Sequence, residues 1–153
     1  MEILREISPL DGRYGTRLQH LGAYFSEYAL MRTRCEVELR YALALDETGL
    51  FAPLSQNERA RVALALEAFT DDDYQQIKTI EATTRHDVKA CEMFLRDKIR
   101  LRDNNLIHFG LTSEDVNNLA YNLMFKRYLA EQHAAQIRQL ISKLRELAEA
   151  WKT

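Results

Sequence analysis

Apolar side chains recur at three- and four-residue steps along most of this chain and nowhere alternate as in a strand, so the pattern predicts an all-α fold. A first helix is expected from about Tyr24 to Glu47, carried by Phe25, Tyr28, Cys35, Leu39, Ala42 and Leu43 and stopped by Gly49. Before it, Pro9, Gly12 and Gly15 punctuate the first twenty residues, and SPLDGRYG reads as a turn-rich arm. Ser55 followed by Glu58 is a capping box, opening a short helix with Val62, Leu66 and Phe69. Thr70 precedes Asp71, Asp72 and Asp73, and acids in a first helical turn favour the helix dipole; this reading is preferred to a metal site. That helix is expected to end near Ala82, with Thr84 and Asp87 capping another through Val88, Cys91, Phe94, Leu95 and Ile99. The polar stretch Leu101 to Leu106 reads as a linker.

From Glu114 to about Lys152 one unbroken helical pattern follows, with Val116, Leu123, Ala130, Ile137, Leu144 and Trp151 every seven residues. A helix of that length spans nearly 60 Å at ~1.5 Å per residue. The shorter helices before it cannot cover its apolar seam, so partner helices must come from copies of the chain or from further sequence. The expected organisation is a helical domain over residues 1–111 and, over 112–153, the first long helix of an incomplete bundle.

Composition narrows the function classes. With 21 basic and 23 acidic side chains the net charge is −2, which gives no field for nucleic acid or an anionic membrane. Cys35 and Cys91 stand in no zinc-ligand spacing and suggest no disulfide framework, which fits a reducing cytoplasm. Glu2 and Glu6 argue against a leader peptide, and no apolar run is long enough to span a membrane.

Three polar segments lie at element boundaries. Ile107 to Asn118, IHFGLTSEDVNN, places His108, Thr112 and Ser113 before the long helix, with Asp115 three residues after Thr112 as in a capping box. The amide groups there are expected to face outward together and attract carboxylates or phosphates, or else simply to cap the helix over a packed His108. Arg13 and Tyr14 set a guanidinium beside a phenol, suited to an anion, or form a surface turn. Arg85, His86 and Asp87 crowd a helix start, where His86 could accept a hydrogen bond from a ligand and Asp87 could orient it or cap the helix.

In order, SPLDGRYG, IKTIEATTRHDVKA and IHFGLTSEDVNN resemble the adenylosuccinate lyase family of the fumarase/aspartase superfamily over nearly the whole chain. The resemblance implies an N-terminal portion of a lyase of purine synthesis, cleaving adenylosuccinate to AMP and fumarate, and the succinylated aminoimidazole carboxamide ribotide to its carboxamide and fumarate. It implies that Arg13 and Tyr14 contact the nucleotide phosphate and that Arg85, His86 and Asp87 line the pocket. Thr112 and Ser113 would hold a succinyl carboxylate with His108 close by. The small-molecule nucleotide substrate would be handled by β-elimination with no metal or organic cofactor, in a homotetramer whose sites combine three subunits.

The resemblance also implies that the general acid, a histidine in an Arg-Thr-His-Gly segment, and the general base, a serine on a Gly/Ser-rich loop, lie beyond Thr153. Neither has a counterpart among these residues. The chain alone is therefore expected to be inactive and to self-associate through the 114–152 helix. His133 reads as structural. Two alternatives stay open: another superfamily lyase, acting on argininosuccinate, aspartate or fumarate, and a non-catalytic helical oligomerisation module.

Overall fold

The structure, a computed structural model, describes residues 8–152. Glu2 and Glu6, on which the argument about a leader rests, lie outside the described residues. So does Thr153, and the segment expected over 112–153 is therefore followed only to Lys152. The fold is all-α, and among the described residues there is no strand.

The arm is less irregular than its glycines predict. Turns run from Ser8 to Tyr14, tied by Tyr14 N–H to Pro9 O at 2.9 Å, and helical turns then form over Gly15–Leu18, Gln19–Leu21 and Gly22–Phe25. The first long helix, α1 (Glu27–Thr48), starts later than the apolar pattern implies. Ser26 interrupts it with an extended backbone; its Oγ accepts from Ala29 N–H and donates to Gly22 O. Gly49, at φ +72°, supplies the left-handed stop.

Helix α2 (Gln56–Glu67) opens on the Ser55/Glu58 capping box, and Phe69 packs on the core from beyond its end. Helix α3 (Asp71–Thr84) opens on a Thr70/Asp73 capping box, with Asp73 also paired to Lys98. These contacts account for the acidic triplet as a helix start. Helix α4 (Asp87–Ile99) follows after two residues, because Arg85 turns the chain at φ 52°.

The segment read as a linker is tied into the core. Leu101 and Leu106 are buried, a short 3₁₀ turn covers Asn104–Leu106, and Arg102 N–H donates to Glu58 Oε1 at 2.7 Å. Apolar anchors at both ends of this polar stretch hold it down.

Helix α5 (Ser113–Tyr128) lies along α1, burying Val116 and Ala120 against Val37 and Val88. The main core sits on the other side of α1, among Met31, Leu39, Ile77, Leu95, Ile99 and Leu106. Arg127 Nη2 reaches both oxygens of Glu36 at 2.7 Å, and Phe25 packs edge-on to Phe125 and Tyr128.

The rod that follows is continuous but not uniform. A π turn over Leu129–His133 separates α5 from α6 (Ala134–Ala150). Tyr24 bonds Glu131 at 2.7 Å across this turn, and Tyr128 stacks on His133. One wide turn rotates everything after it by up to about 100° relative to a regular helix, so the seven-residue seam read along the sequence is two seams in space. On the far one, Ile137, Leu140, Ile141, Leu144 and Trp151 are exposed. No helix among the described residues is long and apolar enough to cross a membrane.

Candidate functional site

Two helix starts converge beside α1. At α5, Thr112 Oγ1 accepts from Asp115 N–H, while Asp115 Oδ2 accepts from both the amide and the hydroxyl of Thr112 at 2.7 Å. The Thr112 amide and hydroxyl hold the Asp115 carboxyl below the usual carboxylate range. The box consumes the amides of Thr112 and Asp115, leaving those of Ser113 and Glu114 as the free donors of this end. Fewer groups face outward than the motif suggested.

At α4 the cap is His86, not Thr84. Its Nδ1 accepts from Lys89 N–H at 3.2 Å, so the proton of the neutral ring belongs on Nε2. That nitrogen lies 3.4 Å from Ser113 Oγ. Thr84 instead ends α3 and accepts weakly from the His86 amide. Asp87 does not orient His86: its Oδ1 stands 3.8 Å from His86 Nδ1 and accepts from Val88 N–H at 2.8 Å. Its other oxygen accepts from Arg34 Nη2 at 2.7 Å. Burial opposes ionisation of Asp87, but the Val88 amide and Arg34 outweigh it and lower its pKa.

Arg34 and Glu38 escaped the sequence reading, and both lie inside the site's supporting layer. Arg34 is buried and spans the two helix starts, donating from Nε to Asn117 on α5 at 2.9 Å as well as to Asp87. Glu38 is buried and contacts His108 Nδ1 at 2.5 Å. A signal was present: the two charges sit four residues apart on the same stripe of α1 as Met31, Cys35 and Ala42.

The other expected residues are placed less tightly. Arg85 is exposed at the α3–α4 turn, next to His86. Arg13 stacks over the Tyr14 ring at 5.4 Å, with no side-chain hydrogen bond to the convergent helix starts among the described residues. The arm enters the body where Phe25 meets Phe125, about 18 Å along α5 from Ser113. The structure therefore brings His86, Asp87, His108, Thr112 and Ser113 together and leaves Arg13 and Tyr14 apart.

A cavity of ≈ 510 Å³ lies elsewhere, between α1, α2 and the π turn, and its charges largely serve one another through Glu36, Arg40 and Arg127. Among the described residues no group of three or more His, Cys, Asp and Glu side chains is placed to hold a metal ion.

The family described as lyase matches residues 12–153. The chain belongs to it. It is 37% identical over 161 residues to adenylosuccinate lyase of Dictyostelium discoideum, an alignment covering 98% of this chain and 34% of that protein. It is 38% identical over 161 residues to the Haemophilus influenzae enzyme of the same name, covering 100% of this chain and 35% of that protein. The adenylosuccinate lyase of Escherichia coli K12 is 38% identical over 160 residues, covering 97% and 34%. This lyase chain thus spans about a third of the length of the curated relatives it matches.

Proposed function

We propose that this chain is the N-terminal portion of an adenylosuccinate lyase, supplying part of a pocket in which adenylosuccinate is cleaved to AMP and fumarate. The observation that carries the reading is the meeting of His86 Nε2 and Ser113 Oγ, 3.4 Å apart, at the starts of two helices. Positive dipole ends, the free amides of Ser113 and Glu114, a hydroxyl and an imidazole N–H there suit a ligand with several anionic oxygens. The activity for which the relatives are named, on a substrate with a succinyl group and a phosphate, fits that chemistry.

In a β-elimination, a proton leaves the carbon beside a carboxylate and negative charge builds on the carboxylate oxygens before the C–N bond breaks. Donors already aimed at those oxygens lower the barrier without reorganising. Thr112 and Ser113 take that part, while His86, Asp87 and Arg85 line the nucleotide side. In this reading the proton-transferring groups come from segments beyond Thr153, so the chain alone releases no fumarate. The exposed face of α6 packs with helices of a homotetramer, and the two free thiols suit the cytoplasm. Arg13 and Tyr14 reach the phosphate only if the arm swings in or serves a neighbouring copy.

Replacing Ser113 by Ala in the intact enzyme tests this. Loss of one such donor lowers kcat about 10²-fold or more while the fold stays intact. Unchanged fumarate release would overturn the carboxylate role.

A further inference from the structure

We propose that Glu38 is the positioning residue for His108, fixing the imidazole with Nδ1–H turned into the core and Nε2 turned toward the ligand space at the start of α5. This rests on reading that space as the lyase pocket.

Two independent observations carry it. The first is a carboxylate where packing alone would favour a hydrocarbon. Glu38 is sealed from solvent, its Oε1 meets His108 Nδ1 at 2.5 Å, and its Oε2 is buried with no hydrogen-bond partner. Burial pushes the carboxyl up, and the contact with His108 only partly offsets it. A buried acid with one oxygen unpaired destabilises a fold relative to an apolar residue of similar volume. The second is backbone strain at the partner: His108 sits at φ +67°, a region that residues with a side chain seldom occupy.

Together they clamp one ring between interior and surface. His108 keeps 18% of its side chain exposed, and Nε2 has no protein partner among the described residues. The ring is close enough to Asp115 for its charge to act on that carboxyl, which places it beside the α5 start. With Nδ1 held by Glu38, Nε2 is the atom presented to a ligand oxygen.

The test is two-bond ¹H–¹⁵N correlation spectroscopy of the 153-residue chain with labelled histidine, alongside urea unfolding near neutral pH. In the wild-type chain His108 Nδ1 reads as protonated. Glu38→Met, which has no acceptor, moves the proton to Nε2, as in free imidazole, while the urea midpoint stays level or rises. Glu38→Gln keeps an acceptor oxygen and retains the wild-type signature.

An unprotonated Nδ1 in the wild-type chain overturns the proposal, and this needs no variant to fold. So does a Glu38→Met chain that loses stability with its His108 signature unchanged, because Glu38 would then be structural. In the intact enzyme Glu38→Met lowers kcat more than it changes KM, and Glu38→Gln restores much of the rate. If the spectra behave as expected and turnover does not change, the lyase reading of the pocket fails while the positioning geometry stands.

Discussion

Arg34 Nη2 stands 2.7 Å from Asp87 Oδ2, joining the middle of α1 to the first residue of α4. The same guanidinium holds Asn117, one turn into α5, so a single buried fork sets the separation of two helix starts. The His86–Ser113 approach depends on it.

Arg34→Met fills a similar volume but leaves Asp87 and Asn117 without their partner. Asp87 is partly exposed and can be hydrated, so the expected loss is about 1.5–3 kcal/mol, the range for hydrogen bonds to charged groups. Urea unfolding checks the magnitude. Arg34→Lys should not restore stability, because an ammonium cannot serve both acceptors in their fixed directions.

Glu58 makes acid stability legible. The Arg102 amide, the Ser55 hydroxyl and the Ser55 amide lower its pKa from 4.5 to about 2. A carboxylate depressed on folding contributes stability that is complete above its unfolded value and disappears as pH falls through the folded one. Urea midpoints of the wild-type chain should therefore fall between pH 4.5 and about 2. Glu58→Gln should start lower at neutral pH and lose less over that window, since other carboxylates still titrate. Parallel curves would show that Glu58 does not carry this dependence.

Ile77 lies on α3 with no solvent exposure, inside the main core. Truncation to Ala removes its packing and leaves a cavity between α3 and its neighbours, at an expected cost of about 2–5 kcal/mol. Denaturant melts would register this as a lower midpoint with an unchanged slope. Leu64, 66% exposed on α2, should tolerate the same change with little effect.

The exposed face of α6 makes the opposite prediction. Ile141→Gln with Leu144→Gln should leave the unfolding of the α1–α5 body almost unchanged, because both side chains are exposed. Sedimentation velocity should show the wild-type chain associating with increasing concentration and the double variant remaining smaller. A wild-type chain that stays monomeric at high concentration would refute self-association through this face.

Much of this architecture is written locally. The Ser55/Glu58, Thr70/Asp73 and Thr112/Asp115 boxes and the Gly49 stop each involve residues no more than a few positions apart, and each is found where its motif stands. Local chemistry also marked His86, Thr112 and Ser113 as polar groups at helix starts. It misled where a competing local choice existed: Thr84 and His86 could each cap α4, and the imidazole holds that position. Nor did periodicity show the break at Ser26, where a serine with bonds in both directions interrupts otherwise helical spacing.

What the amino-acid order determined by itself was the all-α class, the capping boxes and a long amphipathic rod, because backbone hydrogen bonding and 3.6-residue periodicity act over neighbouring positions. Only the tertiary structure decided that Arg34 and Glu38 support the site, that Arg13 and Tyr14 stand away from it, and that a π turn divides the rod. Those outcomes depend on partners up to 83 residues away, such as Asn117 for Arg34, and on where a buried charge finds its counterpart once the helices have packed.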